Sequence, residues 1–405
     1  MKTTVVKGTK DFLPKEQAIR EATKNIIENT YKSYGYTKIS TPILEDIENL
    51  KNSDGGDNVK LIFEVLKRGE KFEKALENNE FDNLSDLGLR YDLTLPLTRF
   101  YASNKENLPK PFKAIQIDRV YRADRPQKGR MREFYQCDID IIGSNSNTCE
   151  IELIIVTMKA LEKLGLTDLV VKINDRQVLK SLIKSFGYND DEINEVCISF
   201  DKLDKISKED IINELQEKRL SETANKNFYE FLNNLNSFDY SKLENIENIN
   251  KIIETVKTLS NGKINLEPDI SLVRGQGYYT GTVFEIKSKN FNGAIAGGGR
   301  YDGLIGKFTG ENVPAVGFSI GFERICSILE EQGINFNQKE KVAVFYDETK
   351  YVEKFNFTEN LRQKYDVCMF ESPKKFGKFL DKLLEQGYNY FVSTFSEELK
   401  PLNDL

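Results

Sequence analysis

Residues 119–143 read RVYRADRPQKGRMREFYQCDIDIIG, and the folding of this stretch decides the rest of the chain. The spacing predicts two strands joined by a charged loop. In the second strand, Arg132 to Ile142, side chains alternate between two faces. Glu133, Tyr135, Cys137, Ile139 and Ile141 share one face, which is mostly apolar and can pack on a layer beneath. Phe134, Gln136, Asp138 and Asp140 share the other, where a core strand would carry Val or Leu. Buried charge without a partner costs several kcal/mol or more, so this polar face needs partners. The loop brings Arg122, Arg125, Lys128, Arg130 and Arg132. Guanidinium forks beside a polar strand face suit a polyphosphate together with a small zwitterion. A solvated hairpin with a basic tip is the other reading of the same residues.

Composition narrows the chemistry. With 405 residues the chain can hold two or three domains, and 39% hydrophobic against 30% charged residues is the balance of a soluble globular protein. No apolar run approaches the roughly 20 residues that span a bilayer, and the opening MKTTVVKGTKDF lacks the apolar segment expected of a signal peptide. Five scattered cysteines, Cys137, Cys149, Cys197, Cys326 and Cys368, form no C-x-x-C pair, so free thiols in a reducing cytoplasm are expected. The net charge of −6 means that a nucleic acid would have to meet a local patch. There is no histidine, which removes Ser–His–Asp and Cys–His sites, histidine bases and most zinc sites.

Working outward, a helix is expected from about Lys15 to Tyr34, on the stripe Ile19, Ala22, Ile26, Ile27 and Tyr31, with Gly35 as its stop. TKISTPILED follows as a strand interrupted by Pro42. In LGLRYDLTLPLTRFYA, Arg90, Asp92 and Thr94 lie two apart and would share one face of a strand. Cys149 to Gly165 has helical periodicity, and Leu169 to Asp175 is a short strand. Residues 176–268 are a helical insertion without a chemical motif. Glycine-rich segments then return: SLVRGQGYYTGTVFEI with a strand from Thr282, GAIAGGGRYDGLIGKF, and PAVGFSIGFERICSIL, a strand entering a helix with Arg324 near its start. A helix start beside an arginine suits a phosphate. Neither G-x-x-x-x-G-K-[ST] nor a strand–G-x-G-x-x-G–helix unit is present. After a linker at 331–340, the tail alternates strands and helices, as a small α/β domain does.

These motifs resemble the class II aminoacyl-tRNA synthetases, and within them the histidyl-tRNA synthetase family. The resemblance rests on KGTKDFLP, on the first class motif around Pro42, and on the hairpin RVYRADRPQKGRMREFYQCDIDIIG as motif 2. It rests also on the family segment LVRGQGYYTGTVFE and on GFSIGFERI as motif 3. It implies an α+β catalytic domain over 1–330 with a six-stranded antiparallel sheet, the helical insertion at about 176–268, and a shortened anticodon-binding-like α/β domain over 341–405. It implies a homodimer through motif 1, with histidine, ATP and histidine tRNA as substrates, Mg²⁺ on the triphosphate and no protein-bound metal.

The resemblance also implies roles. Arg122 would hold the α-phosphate, and Arg274 the α-phosphate and the substrate carboxylate; these two are the catalytic pair. Arg324 would meet the γ-phosphate end and the adenine, Phe134 the other adenine face, Asp124 the adenine amino group, and Arg130 the triphosphate. Asp92 and Thr94 would bind the α-ammonium with help from Gln136. Asp140 and Tyr279 would hold the imidazole nitrogens, with Tyr278 and Tyr301 completing the pocket. Where members often read RGLDYY, this chain reads RGQGYY at 274–279. The alternative is a non-catalytic relative, the histidine-sensing regulatory subunit of ATP phosphoribosyltransferase. Such relatives usually lack the C-terminal domain and some ATP-binding arginines, whereas Arg122, Arg130, Arg274 and Arg324 are all present here.

Overall fold

The computed structural model describes residues 1–403 apart from 53–55, 127–129, 204–205, 240, 242, 244–245, 274–277, 290, 292, 335 and 337–338; at 56–58 and 236 only the backbone is described. The chain divides into two compact units, one of residues 1–10 and 23–328 and one of residues 11–22 and 329–405.

α1 runs Pro14–Lys32. Proline suits a first helical position, where its missing N–H has no intrahelical use, and Gly35 beyond the end takes a positive φ of 81°. Pro42 then splits TKISTPILED between two sheets. β1 (Thr37–Lys38) joins the large sheet, whereas β2 (Leu44–Asp46) joins a small one. α2 (Ile47–Lys51) is capped by Asp46, which accepts from Glu48 N–H at 2.9 Å. β3 (Glu64–Leu66), α3 (Glu70–Glu77) and β4 (Ser85–Leu89) follow, and β2, β4 and β3 form the small antiparallel sheet.

Beyond β4 the strand reading of Arg90, Asp92 and Thr94 fails. The chain turns at residues 90–93 and enters α4 (Thr94–Asn104). The Asp92 carboxylate, one residue before the N-cap Leu93, accepts from Leu95 N–H at 3.1 Å, a bond into the first helical turn that a strand would not make. Pro96 falls in the first turn, where its missing N–H costs nothing. Arg90 is instead fully buried, donating to Arg119 O (2.7 Å) and Thr41 O (2.9 Å) and pairing with Asp118 (2.9 Å).

β5 (Phe112–Tyr121) and β6 (Glu133–Ile142) pair antiparallel from Phe112↔Ile142 to Tyr121↔Glu133. α5 (Thr148–Lys163) and β7 (Leu169–Asp175) lead to the helical insertion, α6 (Arg176–Ser185), α7 (Ile193–Phe200), α8 (Lys208–Glu217), α9 (Glu222–Asn233) and α10 (Ile246–Leu259). Phe186, Phe200, Phe228 and Phe231 pack edge and face at its centre. The end of this segment is not helical, as β8 (Asn265–Pro268) returns to the large sheet. Then come β9 (Thr282–Ser288), β10 (Ala294–Arg300), α11 (Asp302–Thr309), β11 (Ala315–Gly321) and α12 (Phe322–Glu331).

The large sheet has eight strands in the order β1-β5-β6-β11-β10-β9-β7-β8 and is mixed, not the six-stranded antiparallel sheet expected. The run β5-β6-β11-β10-β9-β7 is antiparallel throughout. A short strand is added parallel at each edge, β1 against β5 and β8 against β7. A parallel neighbour needs a long crossover, and the helices α6–α10 between β7 and β8 provide one.

β10 and β11 meet closely at glycines. A Cβ on Gly298 would come within 2.0 Å of Gly317 O and 2.8 Å of Phe318 Cα, both backbone atoms. Gly298→Ala is therefore expected to destabilise the chain by about 1–3 kcal/mol, the usual cost of overpacking, read from denaturant unfolding. An unchanged midpoint would show that the two strands can part without loss.

In the second unit, β12 (Lys341–Tyr346), α13 (Tyr351–Leu361), β13 (Asp366–Glu371), α14 (Phe376–Glu385), β14 (Tyr390–Val392) and β15 (Lys400–Pro401) form a four-stranded sheet in the order β13-β12-β14-β15. Only β15 runs antiparallel to its neighbour. Alternation along β12 sends Ala343 and Phe345 to a core with Leu380 and Leu383 of α14, and Val342 and Val344 to one with Phe357 and Leu361 of α13. No helix of the described residues is long and apolar enough to cross a membrane.

Candidate active site

β6 is the spine of the site. Cys137, Ile139 and Ile141 are buried on one face, as the alternation requires. On the other, Phe134 and Gln136 are half-buried, and Asp138 and Asp140 are each only 4% exposed. Asp140 accepts a 2.6 Å hydrogen bond from the Tyr301 hydroxyl. Its register partner on β11 is Gly317, where a Cβ would lie 1.9 Å from Asp140 Oδ1, so glycine there makes room for the carboxylate. Burial pushes the Asp140 carboxyl up to about 7; the Tyr301 bond pulls it down and the Asp92 charge pushes it further up. Burial also holds the Asp138 carboxyl well above the usual range, aided by Asp140 and Asp92 and opposed by Ser319 and Arg122.

Asp92 enters from the turn before α4. Burial raises its carboxyl, while Leu95 N–H, the Arg122 charge and Thr94 N–H lower it. Thr94, first in α4, is in hydrogen-bonding contact with Tyr278. Tyr278 stands edge-on to Tyr279 (4.9 Å between ring centres) and to Tyr301 (6.0 Å), giving an aromatic wall. Tyr279 lies against Gly299 of β10, where a Cβ would approach its ring to 2.8 Å.

Arg122 follows β5. Its guanidinium lies over Tyr91 at 4.1 Å and near Phe134 at 5.1 Å, and its Nε donates to Tyr91 O at 3.1 Å. Burial raises the Tyr91 hydroxyl; Arg122 and Arg130 oppose this, and Asp92 and Asp124 reinforce it. Arg130 and Asp124 therefore share the surroundings of Tyr91 with Arg122. The base of the hairpin loop is clamped by the N-terminal segment. Arg132 N–H donates to Gly8 O at 2.7 Å, and its side chain donates to Asp124 O at 3.2 Å and to Lys7 O at 3.4 Å. Gly8 has a φ of 90°, and a Cβ there would strike Arg132 and Pro126 at 2.8 Å.

Arg324 is the third residue of α12, just past Gly321, the register partner of Gln136. Its guanidinium donates to Ala294 O at the start of β10. Asp92, Thr94, Asp138, Asp140, Arg122, Tyr278, Tyr279 and Tyr301 thus form one linked group. Phe134, Asp124 and Arg130 join it through Arg122 and Tyr91, and Arg324 is tied in through the β6–β11 pairing. Arg274, Gly275, Gln276 and Gly277, with Lys128 of the loop, lie outside the described residues. Tyr91 and Gly317 were not anticipated as site residues, and Asp138 was placed on this face without a role.

A family model described as histidyl-tRNA synthetase matches residues 8–325. The chain belongs to the histidyl-tRNA synthetase family. It is 41% identical to the histidine–tRNA ligase of Leifsonia xyli, over 81% of this chain and 80% of that protein. It is 33% identical to the histidine–tRNA ligase of Cytophaga hutchinsonii, over 94% of this chain and 89% of that protein. Among solved structures, the histidyl-tRNA synthetase of Nostoc sp. PCC 7120 superposes with a TM-score of 0.78 at 26% identity, covering 96% of this chain and 91% of that one. The matched residues include all of β5, β6 and β11.

The raised Asp140 carboxyl has a stability consequence. Between its ordinary value of 3.8 and about 7 the native state holds a proton that the unfolded chain has released. Its contribution is present below pH 4 and is lost as pH rises through 7. Asp140→Asn should flatten that loss, gaining about 3 kcal/mol on the parent between pH 4.5 and 8, at 1.36 kcal/mol per pH unit. Ligand-free thermal or urea unfolding at both pH values checks this; parallel curves would contradict it.

Proposed function

We propose that this chain is a histidine–tRNA ligase whose amino-acid pocket is the polar face of β6. ATP activates histidine to the adenylate there, and the histidyl group passes to the 3′ end of histidine tRNA. In the first step a histidine carboxylate oxygen attacks the α-phosphorus, the bond to the β-phosphate breaks and pyrophosphate leaves. In the second a terminal ribose hydroxyl attacks the acyl carbon and AMP leaves; the adenylate phosphate takes the hydroxyl proton.

One observation carries the reading. Two buried carboxylates stand together against a tyrosine wall: the Asp92 charge acts on Asp140, and the Arg122 charge acts on Asp92. An amino acid brings an ammonium for Asp92 and Thr94, assisted by Gln136. Its imidazole nitrogens go to Asp140 and Tyr279, with Tyr301 fixing Asp140. A pocket built on buried polar groups rejects side chains that leave them unpaired. Arg122 takes the α-phosphate together with Arg274. Phe134 and Arg324 hold the adenine between them, Asp124 its amino group, and Arg130 and Arg324 the outer phosphates. Charge concentrates on the phosphates in the transition state, so preorganised guanidiniums are the largest lever. Mg²⁺ rides on the triphosphate and is counted with the nucleotide.

Ile43, Leu44, Leu66 and Leu87 are exposed on and beside the small sheet that follows Pro42. This apolar surface supports pairing with a second copy through motif 1. A cytoplasmic location goes with this reading, as that of a tRNA-charging enzyme serving cytoplasmic translation. The test is histidine-dependent exchange of pyrophosphate into ATP, followed by charging of histidine tRNA. Both are expected; intact histidine binding without exchange would support the regulatory reading instead.

A further inference from the structure

The polar face of β6 carries acceptors that no described residue pairs with. Gln136 Oε1 and Asp138 Oδ1 are shut off from solvent and have no hydrogen-bond partner among the described residues. They stand two residues apart on a strand, so they face the same way. Nearly all buried polar atoms in native proteins are paired, and two adjacent orphans ask for a donor. The neighbouring strands do not supply one for Asp138 Oδ1. Ser319, its register partner on β11, hydrogen-bonds the Asp138 carboxyl and still leaves Oδ1 unpaired. Gln116, its partner on β5, is committed to Leu93 O (2.8 Å) and Thr41 (3.2 Å). The charges acting on Asp138 are Asp140 and Asp92, which disfavour its ionised form, and Arg122, which is already bonded to Tyr91 O.

An α-ammonium has three N–H donors and a positive charge. Asp92 cannot satisfy it alone, since its Oδ1 already takes Leu95 N–H and the neighbouring Thr94 contacts Tyr278. We propose that Asp138 is a further substrate-binding residue, whose Oδ1 accepts one N–H of the α-ammonium beside Gln136 Oε1 and the Asp92 carboxylate. Three acceptors then meet three donors, and a second carboxylate selects a ligand carrying a charged amine. This rests on the reading of the β6 face as the histidine pocket.

The experiment compares histidine with 3-(imidazol-4-yl)propionate, which has the ring and carboxylate but no amine. Histidine affinity is measured by calorimetry, and propionate affinity as competitive inhibition of pyrophosphate exchange. Asp138→Asn keeps the volume and puts a neutral amide where burial already disfavours the ionised carboxylate. It should weaken histidine at least tenfold and leave the propionate unchanged, so the preference for the amine shrinks. Asp138→Ser, which shortens the acceptor, should shrink it further and serves if the asparagine variant does not fold. Equal weakening of both ligands would make Asp138 structural only. Unchanged histidine affinity would leave Oδ1 to a water. Either result overturns the proposal. A parent chain that binds no histidine would overturn the pocket assignment itself, and this proposal with it.

Discussion

Arg122→Ala should lower histidine-dependent pyrophosphate exchange by about a thousandfold while histidine still binds. The magnitude is that of removing one preorganised charge from the site where negative charge develops, roughly 3–4 kcal/mol. The guanidinium is held by the protein's own contacts. Tyr91 O accepts from its Nε, and the Tyr91 and Phe134 rings lie 4.1 and 5.1 Å from it. Little reorganisation is left for the moment of reaction, so the loss should fall on kcat rather than on KM for histidine. One side effect is expected. Arg122 opposes the rise of both the Asp92 and Asp138 carboxyls, so histidine binding by the variant should weaken at lower pH. Single-turnover adenylate formation separates the two effects, and parent-like adenylate formation would remove Arg122 from its proposed role.

Asp140→Ala should cut kcat/KM for histidine by about a thousandfold and leave KM for ATP within a few-fold of the parent. A site built to hydrogen-bond a substrate group loses far more than one that only encloses it. Here the change also strands the Tyr301 hydroxyl, which donates to Asp140 at 2.6 Å inside the core, and a buried orphan donor adds its own cost. Tyr301→Phe removes that bond without opening a hole and should cost less, about tenfold. If the alanine variant loses ATP and histidine together, the defect is a collapsed sheet rather than a lost ring partner. Thermal unfolding of the same sample decides between them.

The alternation of Phe134, Gln136, Asp138 and Asp140 against Tyr135, Cys137, Ile139 and Ile141 was legible because a strand has a period of two and the two faces differ in polarity. Long strands and helices with a clear period, such as β6, β7 and α5, were legible for the same reason. Asp92 and Thr94 misled because a spacing of two also fits a capped turn. Pro96 in the first turn and the Asp92 bond to Leu95 N–H decide for the helix. The edge strands β1 and β8 are two and four residues long and too short to show any period. β8 also sits at the end of a helical segment. Tyr91 and Gly317 belong to the site through a stacked cation and a cross-strand register, and neither leaves a mark in local sequence. The nucleotide-binding roles of Arg324, Asp124 and Arg130 came from the family resemblance; spacing alone offered a basic hairpin and a helix start.

On the proposed reading, the polar face of β6 recognises histidine, with Asp140 at the ring and Asp92 at the amine. A crystal structure of the chain with histidine tests it most directly. An imidazole nitrogen is expected within hydrogen-bond distance of Asp140, with Tyr301 still bonded to that carboxylate and the ammonium beside Asp92. Histidine bound away from β6, or seated there with its ring turned from Asp140, would contradict it.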